Sequence, residues 1–183
     1  MKRFVLIAAV GVCAVVLGAC GEGNDTTAND GVVAETTVAT CTPVARGACR
    51  GADLAGAELS GIDLSGIDLR DADLAGANLS GTNLTDANLI GANLAGANLA
   101  GAALVRASLD AANLAGANLE QSRLSSASLR GAQIDAANFS GAFATDAKFT
   151  DAVLGTTKQA ELVAALFACN TTLPDGEVAE PAC

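Results

Sequence analysis

Apolar residues recur along this chain at every fifth position, a spacing that neither of the common secondary structures uses. In GANLAGANLAGAAL, Gly91 to Leu104, the leucines Leu94, Leu99 and Leu104 stand five apart. On an α-helix each would be displaced by about 140° from the one before, and on a β-strand successive leucines would point to opposite sides. From Gly51 the chain divides without insertion into 21 five-residue units ending at Gly155. The fourth residue is Leu in 17 units, the exceptions being Ile134, Phe139, Ala144 and Phe149. The second is Ala in 17, with Ile62, Ile67, Thr82 and Ser122 as departures. Two small or apolar positions flanking one polar position both face inward if the chain turns a corner once per unit. The pattern therefore predicts a coil of stacked turns in which the backbone itself carries the period, as in quasi-one-dimensional repeat proteins.

The units, as in AGANLSGTNLTDANLIGANLAGANL, resemble the pentapeptide repeat family, whose motif is A-(D/N)-L-x-x, and the resemblance covers residues 51–155. It implies an all-β fold, a right-handed quadrilateral β-helix with four units per coil. At a strand spacing of about 4.8 Å, a little over five coils would make a rod about 25 Å long. Residues twenty apart would then stack, so that Leu54, Leu74, Leu94, Leu114 and Ile134 form one interior row ending at Leu154. Composition agrees with a narrow interior. Ala and Leu dominate, Trp, Tyr and His are absent, and Phe occurs five times, so the core is repetitive and built from small side chains.

Both ends depart from the pattern. Phe139, Ala144 and Phe149 replace leucine in the last coil, and Phe143 stands where a polar residue is expected. Beyond Gly155, Thr156 and Gln159 have capping-box spacing and Leu162, Val163, Leu166 and Phe167 share a helical stripe, which predicts a short amphipathic helix. Its expected role is to cover the open end of the coil; in some members of the family such helices make dimers, so the chain is expected to be a monomer or a dimer through this helix.

At the other end, MKRFVLIAAVGVCAVVLGAC places Lys2 and Arg3 before an apolar run from Phe4 to Leu17. That run is shorter than the roughly 20 residues a spanning helix needs and has the form of an export signal. Leu17-Gly18-Ala19-Cys20 resembles the lipobox of bacterial lipoproteins, which implies cleavage before Cys20 and lipid attachment to it. The expected organisation is a signal over 1–19, a flexible tether over 20–40 rich in Gly, Asn, Asp and Thr, an N-terminal cap over 41–50, the solenoid over 51–155, and a helix and tail over 156–183. Losing residues 1–19 moves the formal charge from −10 to −12, a balance that disfavours nucleic acid or anionic lipid headgroups as direct partners.

Of six cysteines, Cys13 leaves with the signal and Cys20 takes the lipid, which leaves Cys41, Cys49, Cys169 and Cys183 in an oxidising setting. Two lie before the first coil and two after the last. A disulfide needs Cα atoms within about 7 Å, so the expected pairs are Cys41 with Cys49 and Cys169 with Cys183.

The repeats suggest no catalytic constellation. Without histidine a Ser-His-Asp arrangement cannot form. Asp53 and Asp73 are expected to stack one coil apart, yet a metal needs more ligands than two; no cofactor or metal is expected. Acid is concentrated in Asp53, Glu58, Asp63, Asp68, Asp71 and Asp73, against Arg70 alone over 51–75. Some members of the family mimic duplex DNA and occupy the DNA site of bacterial gyrase, which protects against quinolones. A mimic needs negative charge along its length, whereas Asn78, Asn83, Asn88, Asn93 and Asn98 leave the middle of this rod neutral. The expected function is a non-catalytic, lipid-anchored, extracytoplasmic binding or structural module of the cell envelope with an unidentified protein partner; the alternative is a DNA-mimic inhibitor of gyrase.

Overall fold

A corner in every unit needs a backbone that bends without losing its hydrogen bonds. The computed structural model, which describes residues 41–155, 162, 166–167 and 170–177, shows how the bend is made. The first residue of each unit has a positive φ, from Gly51 at 62° to Asp151 at 60°. Within the corner the second residue donates its N–H to the fourth residue of the unit before, as in Ala97 N to Leu94 O at 3.0 Å. A left-handed residue third in a four-residue turn closed by such a bond is what a type II turn requires. Glycine fills that place in most units. Asp71, Asp86, Arg106, Ala111, Gln121, Ser126, Ala136, Asp146 and Asp151 fill it in the others, at a steric cost that glycine avoids.

Between corners the chain is extended, and each third residue forms a parallel bridge with the residue twenty further on. Asp53↔Asp73, Asp73↔Asn93 and Asn93↔Asn113 continue one column. Four corners per coil of twenty residues make a four-sided tube. Leu94 N donates to Asn113 O at 2.7 Å and Asn113 N to Ala92 O at 2.9 Å, so the backbone groups of one coil are satisfied by the next. The register reaches back to Ala48↔Asp68, one unit before Gly51.

The core is a column of leucines beside a column of alanines. Leu74, Leu94 and Leu114 are fully buried and Ile134 nearly so, while Leu54 and Leu154 at the two ends are only partly buried against them. Each interior leucine adds roughly 1.5–3 kcal/mol over an exposed one. Alanine at the second position leaves room for the leucine. Thr82 fits there because its hydroxyl donates to Leu59 O at 2.6 Å; Ser122 fits by size, but its buried Oγ has no hydrogen-bond partner.

The C-terminal end differs from expectation. Of the expected capping helix only Leu162 is helical among the described residues: Leu166–Phe167, which share the proposed helical stripe, form a strand, β2, that pairs in parallel with β1, Ala142–Phe143. The offset from Ala142 to Leu166 is four residues longer than in the other coils, and Lys148↔Thr172 repeats it. The physical reason is the open edge of the last coil, whose N–H and C=O groups need partners that extended backbone supplies and a helix does not. Phe149 N donates to Thr172 O at 2.7 Å and Asp151 N to Pro174 O at 2.9 Å. Inside that end, Phe139 and Phe149 meet edge to face with ring centroids 5.8 Å apart.

Candidate functional surface

With the second and fourth positions spent on the core, any function rests on the first, third and fifth. The third positions form four rows, one per side of the tube, beginning at Asp53, Glu58, Asp63 and Asp68. Their side chains do two structural jobs. Asn93 Oδ1 accepts from Ala95 N at 3.4 Å and Asn98 Oδ1 from Ala100 N at 3.2 Å, bracing the corner that follows. Their amide nitrogens donate to the coil below: Asn113 to Asn93 at 3.1 Å, Asn98 to Asn78 at 3.3 Å and Asn138 to Asn118 at 3.1 Å.

These ladders have a direction, since every amide bonded across coils donates toward the N-terminal end. The lowest rung therefore has to be an acceptor, and it is an acid. Asn78 donates to Glu58 at 2.8 Å, Asn83 to Asp63 at 2.9 Å and Asn93 to Asp73 at 2.9 Å. A carboxylate accepts and does not donate, so much of the acid in the first coils terminates amide ladders. That role is not visible in a count of charges, though the change from Asp or Glu to Asn between one coil and the next is its trace in the sequence.

Two acids are paired with arginines. Arg106 makes a two-pronged contact with Asp86 one coil below, both distances 2.7 Å, and Arg70 holds Asp68 in the same way. The hydrogen bond from Arg106 holds the Asp86 carboxyl below its ordinary value of 3.8 and raises the Arg106 guanidinium in return. Hydrogen bonding from Arg70 lowers Asp68, and the backbone N–H of Ser65 leads the lowering of Asp63.

The sequence-derived site residues fall into two groups. Cys41 and Cys49 come together, with Cα atoms 5.4 Å apart, within the reach of a disulfide. Cys49 is buried at 2% exposure and takes the leucine place of its unit, so a link between the two would tie the cap to the core. Cys20, Cys169 and Cys183 lie outside the described residues, as do the export signal and the tether. Asp53 and Asp73 stack as bridge partners, and no cluster of three metal-ligating side chains occurs among the described residues. Phe143 is 49% exposed and sits above Arg123 in the third row.

Comparison with known families gives a match to the family model "Pentapeptide repeats", in eight copies, over residues 49–86, 87–125 and 127–155. The chain belongs to the pentapeptide repeat family. Among solved structures it is similar to a pentapeptide repeat protein from the cyanobacterium Cyanothece, with 27% identity and a TM-score of 0.51 over 60% of this chain and 91% of that one. It is also similar to QnrB1, a plasmid-mediated fluoroquinolone resistance protein, with 19% identity and a TM-score of 0.56 over 69% of this chain and 65% of QnrB1. At that identity the likeness to QnrB1 is one of fold. A pentapeptide repeat protein of the Arabidopsis thaliana thylakoid lumen shares 32% identity over 71% of this chain and 86% of its own, with a TM-score of 0.47. Curated proteins give no match. The family accounts for the A-(D/N)-L core and the ladders; the outward residues of the first and fifth positions are this chain's own.

Proposed function

We propose that this pentapeptide repeat protein is a non-catalytic binding or structural module, exported and held at the outer side of the cell membrane by lipid on Cys20. The observation that carries the reading is Leu17-Gly18-Ala19-Cys20 at the end of an apolar run that follows Lys2 and Arg3. Two further observations support it. Cys41 and Cys49 have Cα atoms 5.4 Å apart, a separation that an oxidising compartment would let a disulfide bridge, with Cys169 and Cys183 as the second proposed pair. Several outward carboxylates are engaged, Glu58, Asp63 and Asp73 as ladder ends and Asp68 and Asp86 as ion-pair partners. The mechanism is presentation: a rigid four-sided rod on a leash of about twenty residues, whose random-coil span is roughly 25 Å.

Fractionation tests the reading. Membrane recovery of the wild-type chain, lost in Cys20→Ala together with lipid labelling, is the expected result. An uncleaved chain in the soluble fraction, unchanged by Cys20→Ala, would contradict it. The alternative, a DNA mimic, meets an obstacle in the ladders: the central rungs are neutral amides where a phosphate mimic needs charge. Accordingly, purified protein is expected to leave gyrase supercoiling unaffected.

A further inference from the structure

The third row differs from the other three in what it leaves outward. It runs Asp63, Asn83, Ala103, Arg123, Phe143. Among the described residues the ion pairs within the chain join Asp68 and Asp86 to Arg50, Arg70 and Arg106, and neither Asp63 nor Arg123 belongs to one. Both are exposed. The first and second rows carry no cation, and on the fourth the acid Asp68 is already held by Arg70. Only the third row among those described therefore holds an acid and a base that are both exposed and outside the ion pairs, separated by two uncharged rungs; the ladder bonds from Asn83 and Ser65 to Asp63 fall on one of its two carboxylate oxygens.

The spacing of those rungs is symmetric. About a point midway between Asn83 and Ala103, Asp63 and Arg123 are equidistant, each one and a half coils away, or roughly 7 Å. Beside them the middle of the face carries Gly81, Thr85, Gly101 and Val105, flat and without charge, so two such faces can come into contact without burying an ion. At the far ends stand two of the four large exposed hydrophobics among the described residues, Val44 at 52% and Phe143 at 49%; Phe143 lies a coil beyond Arg123 and Val44 about a coil before Asp63.

We propose that a second copy of this chain docks on this face, antiparallel and related by a two-fold axis through its midpoint. Rotation about that axis sets Asp63 of each copy opposite Arg123 of the other, Asn83 opposite Ala103, and Phe143 over the partner's cap at Val44. The interface is isologous, as two-fold contacts are. Charge complementarity fixes the antiparallel sense, because a parallel arrangement would set Asp63 against Asp63 and Arg123 against Arg123. The face is narrow, so the association belongs to the weak class of small interfaces. It is independent of the lipid anchor.

The test uses full chains carrying two different tags, co-produced and purified in mild detergent, with co-purification as the readout and thermal melting as a check that each variant folds. Wild-type chains are expected to co-purify, less so as salt rises. Asp63→Arg with itself and Arg123→Asp with itself should each lose co-purification about tenfold, because two ion pairs per dimer become two repulsions. Asp63→Arg mixed with Arg123→Asp should recover it, since the mixed pair restores both contacts. Should Asp63→Arg fail to fold, Ala103→Arg at the centre of the face is expected to abolish co-purification and Ala100→Arg on the neighbouring face to leave it intact. Wild-type chains that do not co-purify, single variants that co-purify like wild type, or Ala100→Arg acting as strongly as Ala103→Arg would overturn the proposal.

Discussion

The middle of the rod and its two ends solve the same problem in different ways. Between Asp73 and Asn118 every coil finds another above and below, so the leucine column, the backbone bridges and the amide ladders are all continued by the next copy of the same unit. At the ends there is no next copy. The N-terminal end stops its ladders on carboxylates and puts Cys49, whose Cα lies 5.4 Å from that of Cys41, in the leucine column. The C-terminal end replaces leucine with Phe139 and Phe149 and covers its edge with a coil four residues longer. A repeat specifies its own propagation but not its termination, so the termini are where the sequence has to depart from the motif.

The largest test of that contrast is in the leucine column. Leu94 is fully buried with coils on both sides, and Leu94→Glu is expected to abolish cooperative melting, since an ion there has neither partner nor water. Leu94→Ala should cost about 3 kcal/mol, whereas Leu54→Ala, at the partly open end, should cost about half of that or less. Equal losses at the two positions, read by denaturant unfolding, would erase the distinction between middle and end.

A smaller effect is expected in the ladders. Asn98 donates to Asn78 and accepts from Ala100 N and Asn118, so Asn98→Ala should cost about 1–2 kcal/mol. Glu58→Gln keeps an acceptor at the foot of the same ladder and should cost a few tenths. If instead the terminal change proved the more damaging, the ladders would not be what holds the rows together.

How the sequence announced these features differs between the regions. Period five and the inward second and fourth positions followed from the pattern, because each is repeated many times and each error of register would move a leucine into water; the stacking of residues twenty apart came instead from the resemblance to the family. The left-handed corner was less visible, although glycine at the first place of most units is its signature; Arg106 and Gln121 hold the same φ and hide it. The tail was misread for a physical reason. Leu162, Val163, Leu166 and Phe167 satisfy a helical stripe, and nothing local shows that Leu166 and Phe167 will meet an unsatisfied edge at Ala142 and Phe143. Of the functional surface, the acids were seen as charge, whereas their place as the lowest acceptors of directed ladders needs the neighbouring coil.

Acid titration sharpens the same contrast. The carboxyls of Asp63, Asp68 and Asp86 are all lowered from 3.8 by hydrogen bonds. A group with a depressed folded pKa adds stability above its unfolded value and loses it as pH falls through the folded one. Stability on this account is level from neutrality to about pH 5 and falls below about pH 4. Hydrogen exchange should show the coils that contain Asp63, Asp68 and Asp86 opening before the leucine rows above Leu109; uniform loss along the rod would argue against it.

One small effect has the opposite sign. Ser122 buries an Oγ without a partner in a place where most units have alanine, so Ser122→Ala should raise stability by about 0.5–1 kcal/mol. Thr82→Ala removes the bond to Leu59 O and should not.

The central claim is that each coil hydrogen-bonds to the coil twenty residues on. Through-hydrogen-bond NMR couplings read those bonds one at a time. Couplings from the Leu94 amide to the Asn113 carbonyl and from the Leu99 amide to the Asn118 carbonyl are predicted; couplings from the same amides to carbonyls four residues back, as in a helix, would contradict the account.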